Sequence, residues 1–313
     1  MMIKPFHATL ALLLAGLLSA CGGGGDSTPA PSAPANVSTL PNEQGAPAFT
    51  GNTAQDGLNW INYRRAQLGV ATLLANAQVS VAAQGHSDYQ RTNNIVSHDQ
   101  VAGKPGFTGV DLGQRLAAVG YVLGGARAYG EVISATSNNS GFYMAEELIT
   151  QIYHRFVMFE PRFKEIGTGS ASASNGYTYL TADFTANNGY GPGVGSARIV
   201  VWPFHNQTAV ATNFFSDLES PDPVPNANEV GYPISVHADI TARLTVQSFT
   251  VSPRGGVSLT TRLLSTATDA HTSQTVAAIV PLAVLKAATT YDVSFSGTVD
   301  GVPVTKTWSF TTK

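Results

Sequence analysis

The chain has 313 residues and a net charge of −3, and 43% of its residues are hydrophobic. That hydrophobic content is normal for a folded protein and excludes a largely disordered chain. The sequence contains no long run of Lys and Arg, so it gives no electrostatic support to nucleic-acid binding. At roughly 100–200 residues per domain, we expect two domains once targeting and linker segments are set aside.

The first segment, residues 1–20, has the layout of a secretory signal peptide. Lys4 supplies a positive charge, and an apolar stretch then runs from Ala8 to Leu18 before two small residues. This stretch is too short for a helix that spans a bilayer. We therefore predict export from the cytoplasm.

The only cysteine of the chain, Cys21, directly follows this segment. A single cysteine excludes a disulfide within the chain. The run Leu18-Ser19-Ala20-Cys21 resembles the lipobox of bacterial lipoproteins, which implies that Cys21 carries acyl chains such as palmitate and anchors the protein to a membrane. Gly22 follows, and by resemblance to lipoprotein sorting signals it favours the outer membrane, with the protein facing the periplasm or the cell surface.

Residues 21–50 are predicted to form a tether after the lipidated cysteine. The segment is rich in Gly, Pro, Ser, Thr and Ala and has almost no large apolar residue. Such a composition is flexible at its glycines and extended at its prolines. It would hold the following domain away from the bilayer.

Residues 51–190 are predicted to form a mixed helical and β domain. Apolar residues at helical spacing predict a first helix from about Asn59 and further helices over Val79–Arg91, Asp111–Gly120 and Ala145–Phe156. Alternating patterns predict strands over Tyr129–Ala135, Glu165–Ala173 and Gly176–Phe184, the last two joined by a turn at Ser174-Asn175-Gly176. The pattern indicates an α+β fold.

The remaining chain divides into a connector, residues 191–231, and a second domain, residues 232–313. Short alternating runs separated by Gly, Asp and Pro predict a β-sandwich, and the piece Ala283–Ala288 resembles a turn found in bacterial immunoglobulin-like domains. The predicted strands cover Ser235–Val251, Val257–Leu264, Thr275–Val280, Thr290–Val299 and Val302–Thr311. Asp300-Gly301 predicts a type I′ turn in the final hairpin.

Histidines are the candidate functional residues of the first domain. His86, His98 and His154 lie there, whereas His205, His237 and His271 have no carboxylate nearby in sequence and are interpreted as surface or structural residues. If the helix over 145–156 is continuous, Glu147, Gln151 and His154 share one of its faces. A buried face of this kind needs polar partners, because ionised groups resist burial alone.

An ordered series of short motifs carries a resemblance to a known family. The series includes Ser97-His98, Arg115 with Gly120-Tyr121, Gly130-Glu131, His154-Arg155 and Ile166-Gly167-Thr168-Gly169. It resembles a bacterial domain of the CAP superfamily, which includes cysteine-rich secretory proteins, antigen 5 and pathogenesis-related proteins. The resemblance covers residues 51–187.

The resemblance implies an α-β-α sandwich with a cleft that holds two histidines and two acids. His98, His154 and Glu131 match three of these residues. The second acid is replaced by Gln151, which lacks the charge and cannot act as a general base. Glu147, four residues earlier, is a weaker candidate for that role. Arg115 and Tyr121 belong to one of the matching motifs and are interpreted as structural anchors that form hydrogen bonds. His86 is interpreted as packing near the cleft, and Gly167 and Gly169 are expected to let strands approach closely.

Two imidazoles and one carboxylate suit a transition metal, zinc first, with a position for an activated water. The alternative is that His98, Glu131 and His154 form a hydrogen-bonded network without a metal. We expect an envelope-anchored module that binds a lipid, a sterol-like molecule or another extracellular ligand. The alternatives are a metal-assisted hydrolase resembling a peptidase, with catalytic candidates Glu131, His98 and His154, and a structural protein with a vestigial cleft. Neither a Gly-x-Ser-x-Gly nor a His-Glu-x-x-His motif is present.

Overall fold

The computed structural model describes Leu18, Ser19 and residues 43–313. The predicted lipidation site Cys21 and the predicted tether up to residue 42 lie outside the described residues. The last part of that tether, residues 43–50, contacts the first domain: Glu43 forms an ion pair with Arg64 at 2.6 Å. Within the part of the chain that is described, no helix combines the length and the apolarity needed to cross a membrane.

The first domain has a central five-stranded sheet in the order β1-β3-β5-β4-β2. Its strands are β1 (Leu18–Ser19), β2 (Leu74–Ala75), β3 (Ala128–Thr136), β4 (Glu165–Ser172) and β5 (Thr178–Ala186). Its helices are α1 (Thr53–Leu68), α2 (Ala77–Asn93), α3 (Leu112–Ala118), α4 (Gly141–Thr150) and α5 (Ile152–Met158). The long strands β3, β5 and β4 pair antiparallel, and the two-residue strands β1 and β2 pair in parallel at the edges.

Four of these helices have an N-cap residue whose side-chain oxygen accepts a hydrogen bond. Asn52, Asn76, Asp111 and Ser140 each accept a hydrogen bond from a backbone N–H in the first turn of α1, α2, α3 and α4 respectively. Such caps satisfy backbone donors that have no partner inside the helix. Gly69, with φ 90°, ends α1 in the left-handed conformation that glycine adopts without strain.

Helices cover both faces of the sheet. Alternate residues of a strand point to opposite faces, so successive residues of β4 show which helix lies on which face. A Cβ on Gly167 would lie 2.2 Å from the backbone nitrogen of Ser80, so β4 meets α2 on this face. The hydroxyl of Thr168, the next residue, donates to the carbonyl of Ala54 in the first turn of α1 at 2.9 Å. This is the α-β-α arrangement that the resemblance implies. The close approaches at Gly167 and Gly169 are between a strand and a helix, since a Cβ on Gly169 would lie 2.2 Å from the backbone nitrogen of Gln84 in α2. The prediction that these two glycines let strands approach closely was wrong.

The helix predicted over 145–156 is two helices. Gln151 has an extended backbone (φ −75°, ψ 123°), so α4 ends at Thr150 and α5 begins at Ile152. The prediction that Glu147, Gln151 and His154 share one face of a continuous helix was therefore wrong. His154 lies in the first turn of α5, not at the end of a helix, and its surroundings are set by the start of α5.

The C-terminal region contains two four-stranded sheets, in the orders β12-β13-β10-β6 and β11-β14-β15-β7. Its strands are β6 (Ile199–Trp202), β7 (Gln207–Val210), β8 (Asn213–Phe215), β9 (Glu229–Gly231), β10 (Ile234–Ala238), β11 (Leu244–Pro253), β12 (Thr261–Leu264), β13 (Val276–Pro281), β14 (Thr290–Val299) and β15 (Val302–Thr312). Asp300 and Gly301 both have positive φ, as the predicted turn requires. The segment predicted as a connector contains β6 to β9, and β6 and β7 extend the two sheets.

One apolar core continues from the first domain into the β region. Phe159 packs edge-on against Trp202, with ring centroids 5.1 Å apart. Arg155 of α5 is fully buried, and its guanidinium donates to the carbonyl of Pro233 at 2.7 Å. The charged Arg155 is thus held by backbone oxygens from both regions, which fixes α5 against the β strands.

Candidate functional site

Two adjacent strands of the first domain place a pair of buried acids on the face that α2 covers. Glu131 of β3 stands directly opposite Asp183 of β5. Both carboxyl groups are buried. Because Asp183 also pairs with Gly167, which faces α2, the two acids point to the α2 side of the sheet.

Basic and imidazole groups surround Glu131. Its Oε1 accepts a hydrogen bond from His98 Nδ1 at 2.8 Å, and its Oε2 accepts from Arg115 at 2.7 Å. Burial alone would raise the pKa of Glu131, but the charge of Arg115 and the hydrogen bond from His98 outweigh it and hold the pKa far below its usual range. Glu131 is therefore a stable carboxylate.

Asp183 has the opposite character. Among the described residues, no N–H or hydroxyl group donates a hydrogen bond to either of its oxygens, and its side chain is fully buried. Burial and the neighbouring charge of Glu131 raise the pKa of Asp183 well above its usual value. The direction of this shift favours a neutral Asp183 whose hydroxyl can donate a hydrogen bond to Glu131, since two adjacent buried carboxylates resist being ionised together.

His86 of α2 supports this cluster as a neutral side chain. Its Nε2 donates to the carbonyl of Ser97 at 2.8 Å, and its Nδ1 accepts from the amide of Gln100 at 2.9 Å. Burial lowers the pKa of His86 to about 4, although Glu131 raises it in part. His86 thus holds the loop that carries His98, in line with the packing role predicted for it. Arg115 has the predicted anchoring role, because it also donates to the carbonyl of His98 at 2.8 Å.

His154 has a different carboxylate partner, Glu219. Its Nδ1 lies 2.9 Å from Glu219 Oε1, and both side chains are buried. The same carboxylate accepts hydrogen bonds from the backbone N–H groups of Ile152, Tyr153 and His154 at 2.9, 2.6 and 3.0 Å. Glu219 therefore caps α5, whose own N-cap residue Gln151 makes no side-chain capping bond.

Glu147 and Gln151, the two sequence candidates near His154, have other positions. Burial raises the pKa of Glu147, while a hydrogen bond with Ser134 and the charge of His154 lower it only in part. Gln151 and Glu147 both line a cavity of about 220 Å³ beside α4. Glu219, and not either of these residues, makes the hydrogen bond to Nδ1 of His154.

The cavity lies between the first domain and the β region. Residues of α4 form one wall, and residues of β8 and the short 3₁₀ helix Ser216–Leu218 form the opposite wall. Phe215 and Leu218 of that wall are 44% and 59% exposed. Exposed apolar side chains beside carboxyl groups are typical of sites that bind partly apolar molecules.

The predicted metal ligands His98, His154 and Glu131 do not form a three-ligand set in the structure. Both oxygens of Glu131 are engaged, by His98 and by Arg115. Among residues 43–313, no group of three or more His, Cys, Asp and Glu side chains is arranged to hold a metal ion. The structure brings His98 and Glu131 together and gives His154 its own acid.

The three histidines of the β region make other contacts. His237 is fully buried between the rings of Phe156 and Phe159, with centroids 5.9 and 5.8 Å away. His271 contacts the ring of Tyr153, and His205 accepts a hydrogen bond from the backbone of Ser309 at 3.3 Å. These contacts agree with the predicted structural roles.

Sequence reasoning missed Asp183 and Glu219. Asp183 stands in β5, a strand that is buried along its whole length, and its pairing with β3 connects it to Glu131. Glu219 lies 65 residues from His154 along the chain, in a segment predicted as a connector. No local spacing links either acid to its partner.

Comparison with known proteins identifies the first domain. Residues 58–184 match the model of the cysteine-rich secretory protein family, CAP, so this part of the chain is a CAP domain. No curated protein matches the chain.

Two solved structures are similar to part of the chain. One is an extracellular protein containing an SCP domain from Bacillus anthracis str. Ames, with 24% identity and a TM-score of 0.36, over 43% of this chain and 40% of that chain. The other is an outer surface protein of Borrelia burgdorferi, with 12% identity and a TM-score of 0.36, over 42% of this chain and 89% of that chain. This chain thus spans two fifths of the length of the Bacillus protein.

Proposed function

We propose that the protein is an envelope-anchored CAP-domain module that binds an extracellular ligand of the lipid class. The observation that carries this proposal is the cavity of about 220 Å³ between α4 and the segment of β8 and Ser216–Leu218. It lies beside Glu147, whose pKa is raised by burial and lowered in part by the nearby charge of His154. A concave site with an apolar wall and a few polar groups is the usual form of a small-molecule site.

The lining of this cavity suits an amphipathic molecule. Phe215 and Leu218 offer apolar surface that is exposed without a ligand. Glu146 and Glu147 on α4 offer polar contacts, and Glu146 is held by the indole N–H of Trp60 at 2.7 Å. An apolar tail would cover the first pair, and a polar head would face the second.

Replacing Leu218 with aspartate is expected to weaken binding of a fluorescent fatty alcohol or a fluorescent sterol at least about tenfold, because burying an unpaired charge under an apolar tail costs more than the free energy of a tenfold change in affinity. The change should leave the fold intact, since Leu218 is exposed in the free protein. The measurement is a fluorescence titration of the full chain. Leu282→Asp is the matched control, because Leu282 is also exposed, at 42%, and does not line the cavity.

Two results would count against this proposal. One is the absence of saturable binding of either probe to the unchanged protein. The other is an equal loss of affinity in Leu218→Asp and Leu282→Asp, which would mean that the probes adhere to apolar surface in general.

The anchor is proposed from the sequence. Acyl chains on Cys21 would hold the protein in the outer membrane, and cleavage before Cys21 would remove β1 and leave four strands in the sheet of the CAP domain. The two four-stranded sheets of the C-terminal region support an immunoglobulin-like sandwich. Its segment Asn213–Leu218 contributes a wall of the cavity, so this region would take part in ligand binding.

A Cys21→Ser variant is expected to lose both palmitate labelling and sedimentation with membranes when it is expressed in a bacterium with lipoprotein processing. The physical reason is that no other cysteine exists to accept the acyl chains. The measurement is metabolic labelling followed by membrane fractionation. Equal labelling of the wild-type and Cys21→Ser chains would refute the anchor.

Zinc binding and hydrolysis stay predictions. The described contacts of His98, Glu131 and His154 do not favour either of them over ligand binding. The predicted three-ligand set does not fit, because Glu131 is committed to His98 and Arg115. A general base works best with a pKa near the working pH, and the pKa of Glu131 lies far below it. Zinc held by the two imidazoles alone would appear as a rise in melting temperature with added zinc.

A further inference from the structure

We propose that Glu219 is a positioning residue that fixes the orientation and the proton of the His154 ring, the role that Glu131 has for His98. His98 and His154 each donate a hydrogen bond from Nδ1 to a buried carboxylate, at 2.8 Å for His98 and 2.9 Å for His154. An ionised carboxylate only accepts hydrogen bonds, so each ring must carry a proton on Nδ1. The second acid of the cleft is therefore supplied from outside the matched residues 58–184.

Backbone N–H groups hold the carboxylate of Glu219 in addition to the His154 ring. Three successive N–H groups at the start of α5 donate to its two oxygens, and the carboxylate is completely buried. These bonds leave Glu219 little freedom to rotate away from the ring. The orientation of His154 is thereby tied to the docking of the segment that follows β8.

This arrangement also accounts for the glutamine at position 151. The chain turns out of α4 at Gln151, whose side chain lines the cavity and makes no capping bond. Glu219 supplies both the cap of α5 and the acid beside His154. One carboxylate from the β region thus has the two roles, cap of α5 and partner of His154, that a local acid at position 151 could otherwise have.

The inference does not depend on the proposed ligand. Ligand binding concerns the wall that contains Leu218, whereas the state of the His154 ring is measured without any ligand. The two proposals can therefore fail separately.

The decisive experiment is nitrogen NMR of the histidine rings in the full chain, labelled with ¹⁵N-histidine, near neutral pH. In the unchanged protein, His154 is expected to carry its proton on Nδ1, with its signals assigned by their loss in His154→Gln. In Glu219→Met, which keeps the side-chain length but has no oxygen, the proton is expected to shift to Nε2 or to exchange between the two nitrogens. The signals of His98 should not change.

Glu160→Met is the matched control, because Glu160 is also a buried glutamate whose carboxylate pairs with Arg162 and not with a histidine. It is expected to leave the Nδ1 proton of His154 in place. The spectrum of the unchanged protein tests the inference even if Glu219→Met fails to fold. A proton on Nε2 in that spectrum, or an unchanged Nδ1 proton in folded Glu219→Met, would overturn it.

Discussion

Replacing Arg115 with methionine is expected to lower the free energy of unfolding by about 3–5 kcal/mol, because it leaves the buried carboxylate of Glu131 without its permanently charged partner among the described residues. Arg115 is fully buried, and its guanidinium bridges Glu131 and the carbonyl of His98. The measurement is urea unfolding near neutral pH, followed by circular dichroism. The loop that carries His98 should loosen in the same variant.

Arg91→Met is the matched control for this change. Arg91 pairs with Asp88 at 3.5 Å on the exposed surface of α2, where both side chains are 40% or more exposed. Surface ion pairs contribute at most about 1 kcal/mol, so this variant should stay close to the unchanged protein. Similar losses in the two variants would contradict the central position that we give to Arg115.

A double variant separates the ion pair from the packing of Arg115. In Arg115→Met with Glu131→Gln, the buried charge and its partner are both absent, so part of the lost stability should return. We expect the double variant to be at least about 1 kcal/mol more stable than the sum of the single changes predicts. Strict additivity would mean that Arg115 acts only as a large side chain.

The parts of the fold that the sequence predicts well are those with a strong local pattern. The helix α2 and the hairpin of β4 and β5 lie within a few residues of the predicted bounds, because apolar periodicity and the turn at Asn175-Gly176 are both local signals. The break at Gln151 has no such signal, since neither glycine nor proline marks it. A carboxylate distant in sequence, Glu219, supplies the capping bonds that allow α5 to begin there.

The residues of the candidate site are likewise predicted only where the sequence signal is local. Histidine and glutamate motifs point to His98 and Glu131, and the structure joins them directly. The sequence does not predict Asp183 and Glu219, because their roles come from strand pairing and from docking of the β region, which are set by the whole fold. The strands β6 to β9 were missed because each has only three or four residues in a segment rich in turns.

The position of Glu219 changes how the two regions relate to function. A shared apolar core and the buried contacts of Arg155 join them physically. Through Glu219, the β region also contacts His154 of the first domain. We therefore expect changes in the segment around β8 to alter the surroundings of His154 as well as the stability of the chain.

Lowering the pH from about 6.5 to about 4 is expected to cost about 3 kcal/mol of stability through His237 alone. Burial, followed by the charges of Arg155 and Arg65, lowers the pKa of His237 to about 3, whereas an exposed histidine has 6.5. The unfolded chain therefore binds a proton in this pH range that the folded chain excludes, so stability is full above pH 6.5 and falls as the pH is lowered.

The His237→Leu variant is expected to lose about 3 kcal/mol less than the unchanged protein over this pH range, because leucine binds no proton in either state. At neutral pH the two should differ by only about 1 kcal/mol, since the ring makes one hydrogen bond, to Ser235 at 3.0 Å, and its Nδ1 has no partner within the described residues. Unfolding in urea at a series of pH values measures both quantities. Parallel curves for the two proteins would show that another group, and not His237, is responsible for the loss of stability in acid.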